Sequence, residues 1–83
     1  MQGLSPSERI VAGTRQALRE ITQGRAKRVY IALDAQERIL NEVRAAAEQA
    51  NVPVEEISDM ATLGRRCHIQ VACAVAVLAV TEG

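Results

Sequence analysis

Phenylalanine and tryptophan are absent from the 83 residues, and Tyr30 is the single aromatic side chain. Any core must therefore be built from valine, isoleucine, leucine and alanine. Long apolar runs are missing as well: nothing approaches the ~20 residues of a membrane-spanning helix. The start, Met1 to Ile10, carries Ser5, Pro6, Glu8 and Arg9 in place of an apolar run. No secretory signal and no membrane partner are expected, and the cytoplasm is the expected compartment. Cysteine is scarce, and Cys67 and Cys73 read as reduced thiols rather than as a disulfide framework.

Chemical machinery is thin. Cys67, His68 and Cys73 are the only soft metal ligands, one fewer than the four a structural zinc site takes. Cys73 lies in an apolar run, where cysteine serves as a small core residue. Neither a metal nor a cofactor is expected. With one histidine, no Ser-His-acid pattern and no Gly-rich phosphate loop, no catalytic residue is assigned and an enzyme is not expected. Asp34, at the end of a predicted strand, reads as a helix cap.

What remains is a single α/β domain over residues 1–83. A chain this long buries about 63% of the surface its unfolded form exposes, enough to fold with little margin. Its 48% hydrophobic content argues against disorder. Ser5 or Ser7 is predicted to cap a short helix reaching about Ala12, with Pro6 in its first turn. Gly13 interrupts, and Thr14 is the predicted cap of a second helix over Arg15 to Gln23, ended by Gly24 in a left-handed conformation. Val29 to Leu33 is predicted as a buried strand, placing Tyr30 inside. Ile39, Val43, Ala46, Ala47 and Ala50 recur at helical spacing and predict an amphipathic helix from Ala35 to Asn51, blocked by Pro53. Val54 to Ile57 reads as a second strand, and Ser58 as the cap of a helix stopping near Leu63-Gly64. Val71 to Val80 is wholly apolar. Periodicity leaves strand and buried helix open there, and its four β-branched residues favour a central strand buried on both faces. The alternation predicts a three-layer α-β-α sandwich around a mostly four-stranded mixed sheet.

Acids and bases balance, ten against ten, yet they are segregated. Arg9, Arg15, Arg19, Arg25, Lys27 and Arg28 face only Glu8 and Glu20 in the first third. Asp34, Glu37, Glu42, Glu48, Glu55, Glu56 and Asp59 face only Arg38 and Arg44 in the middle. Such a split suggests a basic pole that meets an anion, with Glu55, Glu56 and Asp59 as solvated acids opposite it. A merely scattered soluble surface is the competing reading.

The segment Gly13-Thr14-Arg15-Gln16-Ala17-Leu18-Arg19 tips that balance. Arg15 and Arg19 form an i, i+4 like-charge pair costing about 0.2–0.5 kcal/mol. Arg15 also sits in a first turn, where the helix dipole disfavours a cation by roughly 0.3–1 kcal/mol. Against a phosphate backbone the same placement becomes favourable, because backbone N–H groups and guanidinium forks converge on anionic oxygens. Gln16 adds a donor and an acceptor suited to a base edge. An ordinary exposed helix tolerating two arginines stands as the alternative.

Gly13-Thr14-Arg15-Gln16-x-x-Arg19 resembles the Gly-x-Asn-Glu-x-x-Lys signature of the ribosomal L-seven-Ae / L-thirty-e family, and more closely the Gly-Thr-Lys-Gln-x-x-Lys of its short bacterial YbxF-like members. The resemblance continues through Gly24 to Ala32 and Asp34, Val52-Pro53-Val54, Met60, Leu63-Gly64 and the tail from Ile69 to Val80. It implies an α-β-α sandwich binding kink-turn RNA, a sharply bent duplex containing tandem sheared G·A pairs. By that resemblance Gly13, Thr14, Arg15, Gln16 and Arg19 enter the widened major groove at the G·A pairs. The loop Arg65-Arg66-Cys67-His68-Ile69-Gln70-Val71 covers the bases extruded at the bend, Ile69 and Val71 with apolar side chains and Arg65 and Arg66 on the backbone. The expected partner is structured RNA carrying this motif, in ribosomal RNA or a riboswitch, and hence the ribosome, with the protein acting as a monomer.

Three departures accompany the match. Arg15 replaces the Asn of archaeal and eukaryotic members, shifting G·A recognition toward charge. His68 stands where many members have Gly, and Gln36-Glu37 occupy the place of an Asp-Pro. The scarcity of aromatics agrees with the resemblance, because modules that recognise single strands stack bases on aromatic rings. An RNA target would have to be read by shape, backbone and groove edges. The alternative from another class is a protein-interaction module on the same fold, with Glu37, Glu42, Glu55 and Glu56 as its working face.

Overall fold

The computed structural model describes residues 8–67 and 72–80. Along the chain run β1 (Glu8–Ala12), α1 (Thr14–Thr22), β2 (Ala26–Ala32), α2 (Glu37–Gln49), β3 (Val54–Ile57), α3 (Met60–Arg66) and β4 (Val75–Val80). The strands form one sheet in the order β1-β4-β2-β3. Only β2 and β3 pair in parallel; β4 runs antiparallel to both its neighbours. The sheet is thus mixed, as expected.

The most apolar strand takes the most enclosed position. Val75, Ala76, Val77 and Ala79 of β4 are completely buried. Side chains alternate across a strand, so Val75, Val77 and Ala79 join Val29 and Ile31 of β2 beneath α1 and α2. Ala76 faces the other way, into a smaller cluster with Ala32, Ile57 and Leu63 beneath α3. These are the three layers.

Several expectations need correcting. The segment ending at Ala12 is a strand, not a helix. Ile10 and Val11 are β-branched, and Glu8 to Ala12 pairs residue for residue with Val80 to Ala76, so sheet closure overrides any local helical tendency. Ser5, Pro6 and Ser7 lie outside the described residues. β2 begins three residues earlier than Val29 and stops before Leu33, and Tyr30 is half-buried rather than enclosed. β4 starts at Val75; Val71 lies outside the described residues, and Ala72 to Ala74 form an irregular lead-in.

The helix ends differ for reasons of capping. The α1 cap is Gly13, with no side-chain hydrogen bond, and Thr14 is already helical. Gly24 does follow α1 in the left-handed region, at φ 77°. α2 is shorter than Ala35 to Asn51: Asn51 itself adopts φ 58° and ends it. Leu40, Val43 and Ala47 are its buried stripe, while Ala50 is exposed. α3 is capped by Asp59, not Ser58: Asp59 Oδ1 accepts from the Thr62 N–H at 2.7 Å. That bond holds the Asp59 carboxyl below its usual range. α3 continues through Gly64 to Arg66. Asp34 is indeed a cap, though of another helix, its Oδ1 accepting from the Met60 N–H at 2.9 Å.

Candidate functional site

α1 is short, and both its ends are fastened toward β4. At the N-terminal end, the Gly13 N–H donates to Val75 O at 2.9 Å. At the far end, Glu20 is buried, 5% exposed, and accepts two bonds from Arg25, from Nε at 2.7 Å and from a terminal nitrogen at 3.1 Å. Arg9 of β1 approaches the same carboxylate at 3.8 Å. The Arg25 main chain completes the fastening: its N–H donates to Glu20 O at 2.9 Å, and its carbonyl accepts from the Val80 N–H at 2.8 Å. The Arg25 hydrogen bonds, reinforced by the charges of Arg25, Arg9 and Arg19, hold the Glu20 carboxyl below its usual range despite burial.

The exposed end of this helix is where the sequence points. Ala17 is the first residue whose N–H bonds within the helix, to Gly13 O at 2.9 Å. The N–H groups of Thr14, Arg15 and Gln16 have no helical acceptor, and no side chain caps them. Arg15, Gln16 and Arg19 are exposed, Gly13 and Thr14 half-buried, while Ala17 and Ile21 anchor the opposite face in the core. The first turn holds no acid. Among the described residues, Arg15 and Arg19 enter no ion pair within 4.0 Å. Only Arg15 opposes the dipole: α1 ends at Thr22, so Arg19 falls in its last turn, where a cation is favoured.

Most of the other bases behave differently, although Arg38 and Arg65 likewise enter no ion pair among the described residues. Lys27 pairs with Glu8, Arg28 and Arg66 share Glu55, and Arg44 pairs with Glu56. Folding therefore weakens the sequence split into poles, although Glu37, Glu42 and Glu48 stay exposed on α2. Glu55 and Glu56 are neutralised by bases on β2, α3 and α2, and Asp59 caps a helix. Among the described residues, folding subtracts the paired cations and leaves Arg15 and Arg19 as the α1 charges without an ion pair. The Glu55 pair directs Arg66 toward β3, at 3.1 Å, while Arg65 is exposed and donates to Thr62 Oγ1 at 3.2 Å.

The described residues flanking the stretch between α3 and β4 are both bonded to α3, and the β4 side also meets the α1 cap. The Cys67 N–H donates to Leu63 O at 3.0 Å, and the Cys73 N–H to Met60 O at 3.1 Å. Cys73 Sγ donates to Val75 O at 3.0 Å, the same carbonyl that holds Gly13. His68, Ile69, Gln70 and Val71 lie outside the described residues. Burial, with Cys73 alongside, pushes the Cys67 thiol up to about 11, so it stays protonated near neutral pH and is a poor nucleophile or metal ligand. Among the described residues no group of three His, Cys, Asp or Glu side chains is arranged to hold a metal, and no helix is long and apolar enough to cross a membrane.

Sequence reasoning missed the Glu20–Arg25–Arg9 cluster. Its i, i+5 spacing crosses the Gly24 turn rather than following a helix face, and its third member sits on a strand the sequence did not reveal. It also missed Leu33, 47% exposed at the end of β2.

Comparison with known proteins fits this arrangement. Residues 2–83 match the model of the Ribosomal protein L7Ae/L30e/S12e/Gadd45 family. The chain is 48% identical over 71 residues to "RNA-binding protein YbxF" of Geobacillus stearothermophilus, covering 84% of this chain and 87% of that one. "RNA-binding protein GK0100" of Geobacillus kaustophilus matches at the same identity and coverage. Among solved structures, the Giardia lamblia 15.5kD RNA binding protein superposes with a TM-score of 0.78 and 32% identity. That match covers 90% of this chain and 62% of the Giardia chain, so this chain spans less than two thirds of that protein. With nearly its whole length matched in sequence and its sheet, helices and glycine-led α1 in place, the chain belongs to the Ribosomal protein L7Ae/L30e/S12e/Gadd45 family.

Proposed function

We propose that this protein is a non-enzymatic RNA-binding protein that recognises kink-turn duplex RNA and stabilises its bent form. One observation carries the reading: among the described residues, folding pairs Arg9, Arg25, Lys27 and Arg28 with acids and leaves Arg15 and Arg19 without an ion pair, beside three backbone N–H groups that have no helical acceptor. That combination suits a polyanion more than water. The names of the relatives support RNA as the class of ligand. Gly13 and Thr14 bring the backbone close to the RNA, Arg15 and Arg19 contact phosphates and base edges, and Gln16 reads the G·A pairs. Arg65, and Arg66 on exchanging Glu55 for a phosphate, hold the backbone across the bend, and Ile69, Gln70 and Val71 cover the unstacked bases. The protein acts by population shift: binding only the kinked state, it moves the RNA equilibrium by its differential affinity. Family membership makes ribosomal RNA the first target to test, with the protein acting as a cytoplasmic monomer. The acidic-face alternative keeps only Glu37 and Glu42, because Glu55 and Glu56 pair with Arg28, Arg66 and Arg44.

The test is a gel-shift titration of two RNAs of equal length. The kinked RNA is expected to bind at least about 100-fold more tightly than the straight duplex, within the usual span between specific and non-specific binding. Equal affinities would overturn shape recognition. Arg19→Ala is expected to weaken binding to both RNAs and to lower the salt slope by about one. An unchanged slope would remove Arg19 from the contact set.

A further inference from the structure

We infer that Leu33 is a second apolar contact for the bent RNA, packing on a base unstacked at the bend; this rests on the function proposed above. A lone exposed leucine is ordinary and explains nothing by itself. Its placement is not ordinary. Among the described residues Leu33 is the one large apolar side chain left exposed, at 47%. Its backbone is pinned on three sides. The Leu33 N–H donates to Ile57 O at 2.8 Å, the preceding Ala32 N–H to Ala74 O at 2.9 Å, and Ala35 N–H closes the turn onto Ala32 O at 3.1 Å. Asp34 then locks the turn to α3 through Met60. An apolar side chain on a backbone this restrained loses little further freedom on binding.

The same bonds place Leu33 relative to the basic turn. β4 lies between β1 and β2. Val75 at its entry holds Gly13, and Ala74, one residue earlier, holds Ala32. Gly13 and Leu33 therefore flank the entry of β4 at one end of the sheet. Two inter-strand spacings, about 10 Å, separate the strand ends that carry them. The lead-in to β4 from the α3–β4 loop passes between them. A duplex seated on α1 and bent across this end of the sheet meets Leu33 on the far side of the β4 entry. The chemistry fits the composition: with no aromatic side chain free to stack, an aliphatic side chain on a rigid turn is the means available for covering a base face. Such a contact reads the presence of an exposed base and not its hydrogen-bonding edge.

The experiment uses the full chain and Leu33→Ala against kinked RNA carrying 2-aminopurine at an unstacked position, with the straight duplex alongside. The inference expects Leu33→Ala to weaken kinked-RNA binding by about 5- to 20-fold and to leave straight-duplex binding unchanged. It also expects an unchanged salt slope, since an apolar contact releases no counterions, and a smaller 2-aminopurine response on binding. A melting temperature within a few degrees of the parent keeps the comparison clean. Unchanged kinked-RNA affinity would overturn the inference while the proposed function stands on its two-RNA comparison. So would a dimer, seen by light scattering, that Leu33→Ala dissolves without touching RNA affinity. A parent protein with no preference for kinked RNA would overturn both.

Discussion

Replacing Gly13 with alanine is expected to lower the melting temperature by about 10 °C and to weaken kinked-RNA binding at least about tenfold. Gly13 adopts φ 111°, a conformation that costs an L-residue about 1–3 kcal/mol, and each kcal/mol moves the midpoint of a domain this size by roughly 4–8 °C. The added Cβ would also stand 2.6 Å from Gln16 Oε1. That contact is relieved by swinging the Gln16 side chain away, so the loss of affinity comes from displacing a side chain that lies over the cap. Gly24→Ala separates the two effects. Gly24 also has positive φ, at 77°, but nothing lies within 4 Å of its would-be Cβ. It should lose about 1 kcal/mol of stability and keep its RNA affinity. Thermal melts and gel shifts on both variants check the pair; equal RNA defects would show that Gly13 matters only for folding.

The second large effect belongs to Glu20. Glu20→Gln leaves the part-exposed Arg25 with a neutral acceptor in place of a carboxylate and is expected to destabilise the domain by about 1.5–3 kcal/mol, the range for hydrogen bonds to a charged group. Because α1 is held through this cluster, RNA affinity should fall with it. The acid limb of stability gives an independent readout. The folded-state pKa of Glu20 lies below its ordinary 4.5, so its ionised form stabilises the fold above that value. The contribution is lost as pH falls through the lowered folded value. Asp59 is shifted in the same direction, from an ordinary 3.8, and acts in the same acidic window. Urea midpoints measured from pH 7 to pH 3 should fall for the parent, and more shallowly for Glu20→Gln. Parallel curves would show that Glu20 contributes through shape alone.

Much of the fold was legible because this chain spells its core in aliphatic residues with little ambiguity. Val54–Ile57 appears where the sequence places it, and the apolar tail is the doubly buried central strand. The Gly24 stop and the apolar stripe of α2 also follow from local chemistry. β1 was not legible, since a five-residue edge strand is defined by what it pairs with rather than by its own pattern. The caps failed for a related reason. Asp34 and Asp59 both serve α3, and the Asp34 partnership spans 26 residues, beyond any local signature. In the candidate site, Arg15, Gln16 and Arg19 are exposed while Gly13 and Thr14 are half-buried, and among the described residues the two arginines enter no ion pair. The charge segregation that first suggested a basic pole proved a poor guide, because most of its members are paired across the sheet. The useful signal was which arginines remained after pairing, and pairing is a property of the fold.

The brevity of α1 has a practical corollary. Nine residues make a segment too short to hold its turns in water on its own. A synthetic peptide spanning Gly13 to Gly24 should give a coil spectrum by circular dichroism and fail to compete for RNA. Anyone wishing to transplant this recognition element into another scaffold must carry across the strand beneath it as well, since the geometry is on loan from the sheet.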